Sequence, residues 1–197
     1  MLNRKLYPLR PTIKVFAFFC VLSLSTFSLA DDELNSKATD LEQYATDAEA
    51  GIADAQYQLG HAYHVGEGVV QNYETAFYWY TKAAEQGYSV AQNNLGILYQ
   101  NGLGVSQDYE KAFDWYTKAA EQGYSVAQNN LGALYENGQG VSQDYGKAFD
   151  WYTKAAEQGN SWAQINLGVL YQLGEGVSQD YETAFYWYTK AAEQGYS

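Results

Sequence analysis

The sequence predicts an all-α fold, a solenoid of stacked α/α-hairpins, and three observations lead to this prediction. A 36-residue period runs through the chain. Each period holds two segments whose apolar residues recur at helical spacing. Two such short helices cannot bury their apolar faces alone, so successive hairpins must stack. The period is marked by Gly51, Gly87, Gly123, Gly159 and Gly195, and by Trp79, Trp115, Trp151 and Trp187.

The period divides the 197 residues into an N-terminal segment, a cap and four units. Within the cap, residues 37–49 align with the second helix of a unit, which predicts a half-repeat. We expect a signal peptide at 1–30, a linker and capping helix at 31–50, repeats at 51–86, 87–122, 123–158 and 159–194, and the start of an incomplete repeat at 195–197.

The first helix of a unit is clearest in the second repeat. Ser89 followed by Gln92 is a capping-box pattern and predicts the helix start, with Ser125 and Ser161 as the equivalent caps. Gly96 lies inside this helix at a cost of about 1 kcal/mol relative to alanine, so its recurrence in every unit predicts a close packing partner, such as a second helix. The helix should end near 101–102, where glycine suits a left-handed cap. Its apolar face comprises Ala91, Leu95, Leu98 and Tyr99.

The second helix follows a glycine-containing connector at 102–107. Asp108 is a favourable N-cap and complements the helix dipole, and Gly123 closes the helix. A Gly-x-Gly connector could be mistaken for a phosphate loop, but no strand precedes it and an acidic cap follows, which favours a turn. The apolar face comprises Tyr109, Ala112, Phe113, Trp115, Tyr116, Ala119 and Ala120.

The first 30 residues have the order of a secretory signal peptide. Basic residues up to Lys14 precede an apolar run at 15–27, and small residues then lead to an expected cleavage after Ala30. An uncleaved anchor is the alternative, but the run is short for a bilayer. Cys20 raises a lipoprotein interpretation, which the bulky residues before it disfavour. We therefore expect a periplasmic or secreted protein with no membrane span after cleavage.

The composition after residue 30 excludes several classes of protein. Seven lysines, no arginine and 23 acidic residues give a formal charge of −16, which excludes a basic nucleic-acid surface and favours a partner with a basic segment. The absence of cysteine excludes a disulfide framework and thiol chemistry. The high aromatic content argues against disorder.

The sequence offers no strong catalytic or metal pattern. His61, His64 and Glu67 could place three ligands near one another, but ordinary exposed helix residues are the favoured interpretation. No serine is paired with a base in any recognised motif, so we expect no catalysis and no cofactor. The recurring tryptophans predict core positions rather than a carbohydrate platform, whereas Trp162, which replaces a valine, is expected to be partly exposed.

Positions that differ between the units predict the partner-binding surface. On the first helices these positions are spaced i, i+4 and i+7, which places each set on one face. We call these twelve residues the stripe and expect them to line a concave groove for a peptide or protein, with Trp162 as a further contact; drift on a solvated face is the alternative. The stripe comprises Tyr57, His61, His64, Asn93, Ile97, Gln100, Asn129, Ala133, Glu136, Ile165, Val169 and Gln172.

The repeated pattern A-Q-x-x-L-G-x-x-Y-x-x-G-x-G-V-x-Q-D-Y-x-x-A-F-x-W-Y-x-K-A-A-E-Q-G resembles the Sel-one-like repeat, a relative of the tetratricopeptide repeat. The resemblance covers 51–194 and implies a right-handed superhelix that serves as a scaffold or adaptor for protein complexes. Penicillin binding and β-lactamase activity have been proposed for cysteine-rich bacterial members, which carry a cysteine pair in each repeat. An envelope hydrolase of that kind and a truncated copy of a longer array are therefore the alternatives.

Overall fold

The structure, a computed structural model, describes residues 40–195. The predicted signal peptide with its cleavage after Ala30, the linker up to residue 39 and residues 196–197 lie outside the described residues. Within the described part the chain forms nine helices and no strand. They are α1 (40–49), α2 (Ala53–Val65), α3 (Tyr73–Glu85), α4 (Ser89–Asn101), α5 (Tyr109–Glu121), α6 (Ser125–Asn137), α7 (Tyr145–Glu157), α8 (Ser161–Leu173) and α9 (Tyr181–Glu193).

The helices stack in chain order, which confirms the predicted all-α solenoid. We call α2, α4, α6 and α8 the A-helices, and α3, α5, α7 and α9 the B-helices. Each A-helix packs against the B-helix that follows it, and α3, α5 and α7 each pack against the next A-helix as well. At the N-terminal end α1 occupies the position of a B-helix, with Ala48 buried against Ala55 and Leu59 of α2.

Each joint between hairpins has its own apolar core. In the joint of α3 with α4, Ala91, Leu95 and Leu98 are buried as predicted. Tyr99 is half-buried, and its ring meets that of Phe77 edge-on with the centroids 5.3 Å apart. Full burial of a leucine contributes about 1.5–3 kcal/mol, so these joints are a main source of stability. The ring pair recurs as Phe113–Tyr135 and Phe149–Tyr171.

The ends of the helices agree with the predicted turn chemistry. The Asp108 side chain accepts a hydrogen bond of 3.0 Å from the backbone N–H of Lys111, which confirms it as the N-cap of α5. Gly102 takes a left-handed φ of 68° after α4, and its N–H donates to the carbonyl of Leu98. Both devices satisfy backbone groups that helix ends leave unpaired.

The second glycine of the connector joins neighbouring hairpins. A Cβ on Gly104 would lie 2.3 Å from both the carbonyl carbon and the carbonyl oxygen of Tyr73, at the start of α3. Gly104 also has a φ of 68°. Only glycine combines that backbone conformation with so close an approach. Gly140 and Gly176 contact the backbones of Tyr109 and Tyr145 in the same way.

The predicted capping box at the start of α4 is wrong. Ser89 is the first helical residue, and the N-cap is Tyr88, whose side chain makes no capping hydrogen bond. Gln92, the supposed partner of Ser89, donates its amide to the carbonyl oxygen of Ala84 at 3.1 Å. The buried carbonyl at the end of α3 requires a donor, and the amide of Gln92 supplies it.

The equivalent prediction also fails in the later units. Ser125 is the first residue of α6, and the N-cap is Tyr124, whose side chain makes no capping hydrogen bond. Ser161 is the first residue of α8, and Asn160 is the N-cap, with its side-chain oxygen accepting from the N–H of Ala163 at 2.9 Å. A short polar residue one position earlier therefore caps α8 instead of the serine.

The recurring tryptophans pack into the core, as predicted. Trp79 is 3% exposed and lies against α1 and α2. Trp115, Trp151 and Trp187 are half-buried against the core of the joint that precedes each of them. None of the helices in residues 40–195 has the length and apolar character needed to cross a membrane.

Candidate protein-interaction surface

The stripe residues all lie on the A-helices, where equivalent positions form three rows. Asn93 is buried, Gln172 is exposed and the other ten are half-buried. The first row is Tyr57, Asn93, Asn129 and Ile165; the second is His61, Ile97, Ala133 and Val169; the third is His64, Gln100, Glu136 and Gln172.

The asparagines of the first row tie neighbouring A-helices together. The side-chain oxygen of Asn93 accepts a hydrogen bond of 3.0 Å from the amide of Asn130. Asn129 accepts in the same way from Asn166, also at 3.0 Å. Asn93 is only 2% exposed, so its hydrogen bond is sheltered from water.

Tyr57 occupies the same row in the first unit but makes aromatic contacts. Its ring centroid lies 5.9 Å from that of Tyr80 and 5.3 Å from that of Tyr88. The Tyr88 hydroxyl donates to a carboxylate oxygen of Asp54 at 2.8 Å. This hydrogen bond, together with burial, raises the pKa of Tyr88 to about 12. Burial is also the main cause of the raised pKa of Tyr57.

The second row packs against the following hairpin. Ile97 of α4 lies against the core formed by α5 and α6. Ala133 of α6 lies against the core formed by α7 and α8. The next hairpin therefore limits the side-chain volume that this row can hold.

The third row supplies partners for the buried tyrosines of the B-helices. The four pairs are Tyr80–His64 Nδ1 at 3.3 Å, Tyr116–Gln100 Oε1 at 2.6 Å, Tyr152–Glu136 Oε2 at 2.5 Å and Tyr188–Gln172 Oε1 at 2.8 Å. Burial raises the pKa of the Tyr116 hydroxyl, and in Tyr152 the Glu136 carboxylate raises it further. An imidazole, an amide or a carboxylate can fill this position because each accepts a hydrogen bond.

Several stripe residues therefore take part in packing within and between the hairpins. Asn93 and Ile97 contact the neighbouring hairpin, and Gln100 contacts its own B-helix. In the third row the sequence varies because several side chains satisfy the same contact with a tyrosine hydroxyl. Its partly exposed atoms still differ in charge and shape from one unit to the next.

The two histidines contact tyrosine rings. The His64 ring lies edge-on to Tyr73 and Tyr80, at centroid distances of 5.5 and 5.9 Å. Burial, and to a smaller extent nearby His61, lowers the pKa of the His64 imidazole. His61 lines a cavity of about 240 Å³ between α1 and α2, which Glu67 also borders. In residues 40–195 no three histidine, cysteine or acidic side chains come close enough to hold a metal ion.

Charge is distributed unequally between the two kinds of helix. All six lysines of the described chain lie on B-helices, and the A-helices contain neither lysine nor arginine. Two lysines cover tryptophan rings, with Lys118 Nζ 3.9 Å from the Trp115 centroid and Lys154 Nζ 4.0 Å from that of Trp151. The A-helix side is thus neutral or acidic, and Glu136 is the carboxylate within the stripe.

Trp162 is 59% exposed at the start of α8, which confirms the expected exposure. Its position on an A-helix, outside the three rows, would extend a contact made by the stripe. Exposed tryptophan is enriched at protein interfaces because its ring supplies a large apolar area with a polar edge.

Sequence reasoning missed a row of glutamines that link three helices at each joint. Gln92 donates to the Ala84 carbonyl of the preceding B-helix and accepts from Gln122 of its own hairpin at 2.6 Å. Glutamine occurs at the same two positions in all four units, and this recurrence was the signal in the sequence that could have revealed the contact. The row comprises Gln56, Gln92, Gln128 and Gln164, paired with Gln86, Gln122, Gln158 and Gln194.

Comparison with known families gives a match over most of the chain. The model described as Sel1 repeat matches four consecutive stretches, 53–88, 89–124, 125–160 and 163–196. The comparison with curated proteins gives no match.

Several solved structures share the fold. They include c5321, a protective antigen present in uropathogenic Escherichia coli strains that displays an SLR fold, with 46% identity over 79% of this chain and a TM-score of 0.76. A Sel1 repeat protein from Oxalobacter formigenes has 37% identity over 80% of this chain and a TM-score of 0.77. Helicobacter pylori cysteine rich protein B has 27% identity over 64% of this chain, 91% of its own length and a TM-score of 0.52. The chain spans 33% of the length of the first and 63% of the second.

Proposed function

Because the chain belongs to the Sel1 repeat family, whose members are generally protein-interaction scaffolds, we propose that it binds a protein partner with a basic segment along the stripe. The observation that carries the proposal is that the lysines are confined to the B-helices, while the A-helices carry Asp54 and Glu136 and neither lysine nor arginine. Every described lysine is on a B-helix, so a basic segment meets no like charge on the A-helices. Such complementarity favours fast and specific association.

Glu136 is the charged anchor in this proposal. Its carboxylate is half-buried and accepts from the Tyr152 hydroxyl, and no lysine of the described chain pairs with it. A lysine or arginine of the partner would add a charge-assisted hydrogen bond to the second carboxylate oxygen. The neutral stripe residues around Glu136 would supply shape and apolar contact.

A crosslinking pull-down from the envelope fraction tests the stripe. The test variant carries Tyr57→Asn, His61→Ala and Ile165→Asn, each of which introduces a residue that sibling units hold at the same position. The matched control carries Tyr78→Asp and Tyr186→Asp on the B-helices, again sibling residues at exposed positions. We expect the stripe variant to lose its captured partner and the control to retain it. Equal capture by both variants would contradict the proposal.

We also propose that the protein acts outside the cytoplasm. The support is the order of charge, apolar run and small residues in the first 30 positions. Intact-mass measurement of protein from fractionated cells tests it: a chain that begins at Asp31 in the periplasm or medium supports the proposal. A chain that keeps residues 1–30 in the cytoplasm would contradict it.

We propose that the scaffold acts without catalysis, as is typical of the Sel1 repeat fold. The chain has two histidines, and both contact tyrosine rings in the first unit. A chromogenic cephalosporin tests the alternative of an envelope hydrolase. Turnover above that of a heat-denatured sample would contradict the proposal.

A further inference from the structure

Three tyrosines and a carboxylate lie together near the N-terminal ends of α2, α4 and α6. The ring centroids of Tyr57 and Tyr88 are 5.3 Å apart, and the Tyr88 hydroxyl donates to Asp54 at 2.8 Å. After burial, nearby Tyr124 is the largest cause of the raised pKa of Tyr57, so this third ring belongs to the same group. The tyrosines are half-buried and Asp54 is exposed. We call Asp54, Tyr57, Tyr88 and Tyr124 the tyrosine–aspartate cluster.

The stacking of units does not require this cluster. The positions of Asp54 and Tyr57 hold different chemistry in the other three units, which stack in the same way. The equivalent pairs are Val90 with Asn93, Val126 with Asn129, and Trp162 with Ile165. Asp54 does not cap its helix either, because the N-cap of α2 is Ile52 and no side chain makes a capping hydrogen bond there. The carboxylate is therefore available for a ligand.

Elsewhere in the chain a lysine occupies a similar pairing of tyrosine and aspartate. Lys111 Nζ lies 5.3 Å from the Tyr99 ring centroid and 3.2 Å from a carboxylate oxygen of Asp108. The next unit repeats the arrangement, with Lys147, Tyr135 and Asp144. The ring attracts a cation through its π-electrons, and the carboxylate adds a full negative charge. Within residues 40–195 no lysine pairs with Asp54, so this cluster can accept a cation from another molecule.

The end of helix α2 opposes a cation, but with a smaller charge. Asp54 lies in the first turn of α2, where the helix dipole contributes roughly half a positive charge. The full negative charge of the carboxylate exceeds this contribution, and the A-helices hold no lysine or arginine that would add to the repulsion. Because Asp54 is exposed, water and salt weaken the attraction. Binding of a single side chain should therefore be weak and salt-dependent.

We propose that the tyrosine–aspartate cluster binds an arginine side chain of the partner. Arginine fits better than lysine, because its planar guanidinium stacks on aromatic rings and presents two N–H donors to one carboxylate. The carboxylate of Asp54 can accept both donors and keep its hydrogen bond from Tyr88, since its two oxygens offer about four acceptor positions. This proposal rests on the proposed function, because it names the basic side chain that the first unit receives while Glu136 receives another.

Nuclear magnetic resonance of the full chain, labelled with carbon-13 in its tyrosine rings, tests the proposal. The probe is the capped tripeptide acetyl-Gly-Arg-Gly-amide, compared with versions that carry lysine or citrulline in place of arginine. Citrulline keeps the planar shape of arginine and lacks its charge. The test variants are Asp54→Asn, which keeps an acceptor for Tyr88, and Tyr57→Asn, which introduces the residue of the second and third units. The control is Asp114→Asn, which removes an exposed carboxylate from α5.

We expect the arginine peptide to shift the Tyr57 and Tyr88 ring signals in a saturable manner at low salt, with a dissociation constant of about 1–10 mM. The lysine peptide should bind about threefold more weakly, and the citrulline peptide about tenfold more weakly. Asp54→Asn should weaken binding of the arginine peptide about tenfold and Tyr57→Asn about threefold, whereas Asp114→Asn should change it by less than about twofold. Equal binding of the arginine and citrulline peptides, or equal binding by wild type and Asp54→Asn, would overturn the proposal.

The tripeptide experiment and the pull-down can fail separately. If the arginine peptide does not bind while the stripe variant still loses its captured partner, the cluster is not an arginine site and the proposed function stands. If the arginine peptide binds at the cluster while the stripe variant and its control capture equally, the arginine site is supported and the proposed function is contradicted.

Discussion

The ring of Tyr116 fills the space beside Gly96 in which any other residue would place its Cβ. A Cβ on Gly96 would lie 2.6 Å from Cε1 and 2.7 Å from Cδ1 of that ring, and Tyr116 itself is fully buried. The contact joins the A-helix and the B-helix of one hairpin. It recurs as Gly60–Tyr80, Gly132–Tyr152 and Gly168–Tyr188, which explains why every A-helix tolerates a glycine at its centre.

Gly96→Ala should destabilise the protein although alanine is the better helix former. Overpacking a closed core costs about 1–3 kcal/mol, and the gain in helix propensity returns about 1 kcal/mol. We expect a net loss of up to about 2 kcal/mol, because the Tyr116 ring is fully buried and its hydroxyl is held by Gln100 at 2.6 Å. Urea unfolding followed by circular dichroism measures it. An unchanged or higher midpoint would show that the ring contact does not constrain Gly96.

Gly146→Glu should stabilise the protein, in contrast to the destabilisation expected for Gly96→Ala. Gly146 is exposed in the first turn of α7, where the sibling α5 carries Glu110. The substitution removes the entropic cost of glycine and places a negative charge near the helix N-terminus. We expect the free energy of unfolding to rise by about 1 kcal/mol in the same urea experiment. A decrease in the free energy of unfolding would show that glycine in the first turn of α7 does not lower the stability of the protein.

The connector glycines allow a matched comparison. Gly68 and Gly104 have φ values of 70° and 68°. The nearest atom to a Cβ on Gly68 is Leu41 Cδ2 at 3.5 Å, whereas a Cβ on Gly104 would meet the Tyr73 backbone. Gly68→Ala should cost about 1–2 kcal/mol for the left-handed conformation alone. Gly104→Ala should cost at least about 2 kcal/mol more, since backbone must move.

Thermal unfolding of the two alanine variants, compared at one pH, checks this difference. Because both substitutions carry the same conformational cost, the gap between them isolates the clash at the joint. Equal midpoints would mean that the contact between Gly104 and Tyr73 contributes nothing to stacking.

His64→Gln should reduce the loss of stability in mild acid. Burial lowers the pKa of His64 in the folded state, so protonation favours unfolding. The stabilising contribution is complete above the unfolded pKa of about 6.5 and is lost as the pH falls through that value towards the lower folded one. Glutamine keeps an acceptor for Tyr80, as Gln100 and Gln172 do for their tyrosines. Melting temperatures from about pH 7 to about pH 5 should fall less in the variant. The same dependence of melting temperature on pH in both proteins would show that His64 does not cause the loss of stability in acid.

The interior tyrosines should resist ionisation until the chain unfolds. Burial raises the pKa of Tyr80, Tyr116 and Tyr152 above the ordinary value. Their contribution to stability is complete below about pH 10 and is lost as the pH rises further, because the unfolded chain releases their protons first. Absorbance at the phenolate band should show three tyrosines that titrate only together with loss of helical circular dichroism. Titration of all tyrosines before unfolding would contradict their burial.

The repeat and its helices could be predicted from sequence because the period and the turn residues are local signals. Gly102 and Asp108 act where their chemistry indicated. The failure at Ser89 has a tertiary cause: Gln92 is engaged by Ala84 of the preceding helix, a contact that no local pattern reveals.

The stripe was harder to interpret because variation between units has two physical origins. A position varies when it faces solvent, but it also varies when several side chains satisfy one contact. Gln100 and Glu136 differ in charge, yet each accepts a hydrogen bond from a buried tyrosine. Only the structure distinguishes these origins, because the donor lies 16 residues further along the chain.

The affinity of the captured partner as a function of salt concentration tests the proposed function most directly. The measurement compares the wild-type chain with Glu136→Gln, whose amide keeps the acceptor for Tyr152, and with Asp150→Asn, which removes one exposed charge from a B-helix. We predict that Glu136→Gln weakens binding about fivefold to tenfold at low salt and flattens the salt dependence, whereas Asp150→Asn stays within about twofold of wild type. The same dissociation constant and the same salt dependence for all three proteins would contradict a basic partner on the stripe.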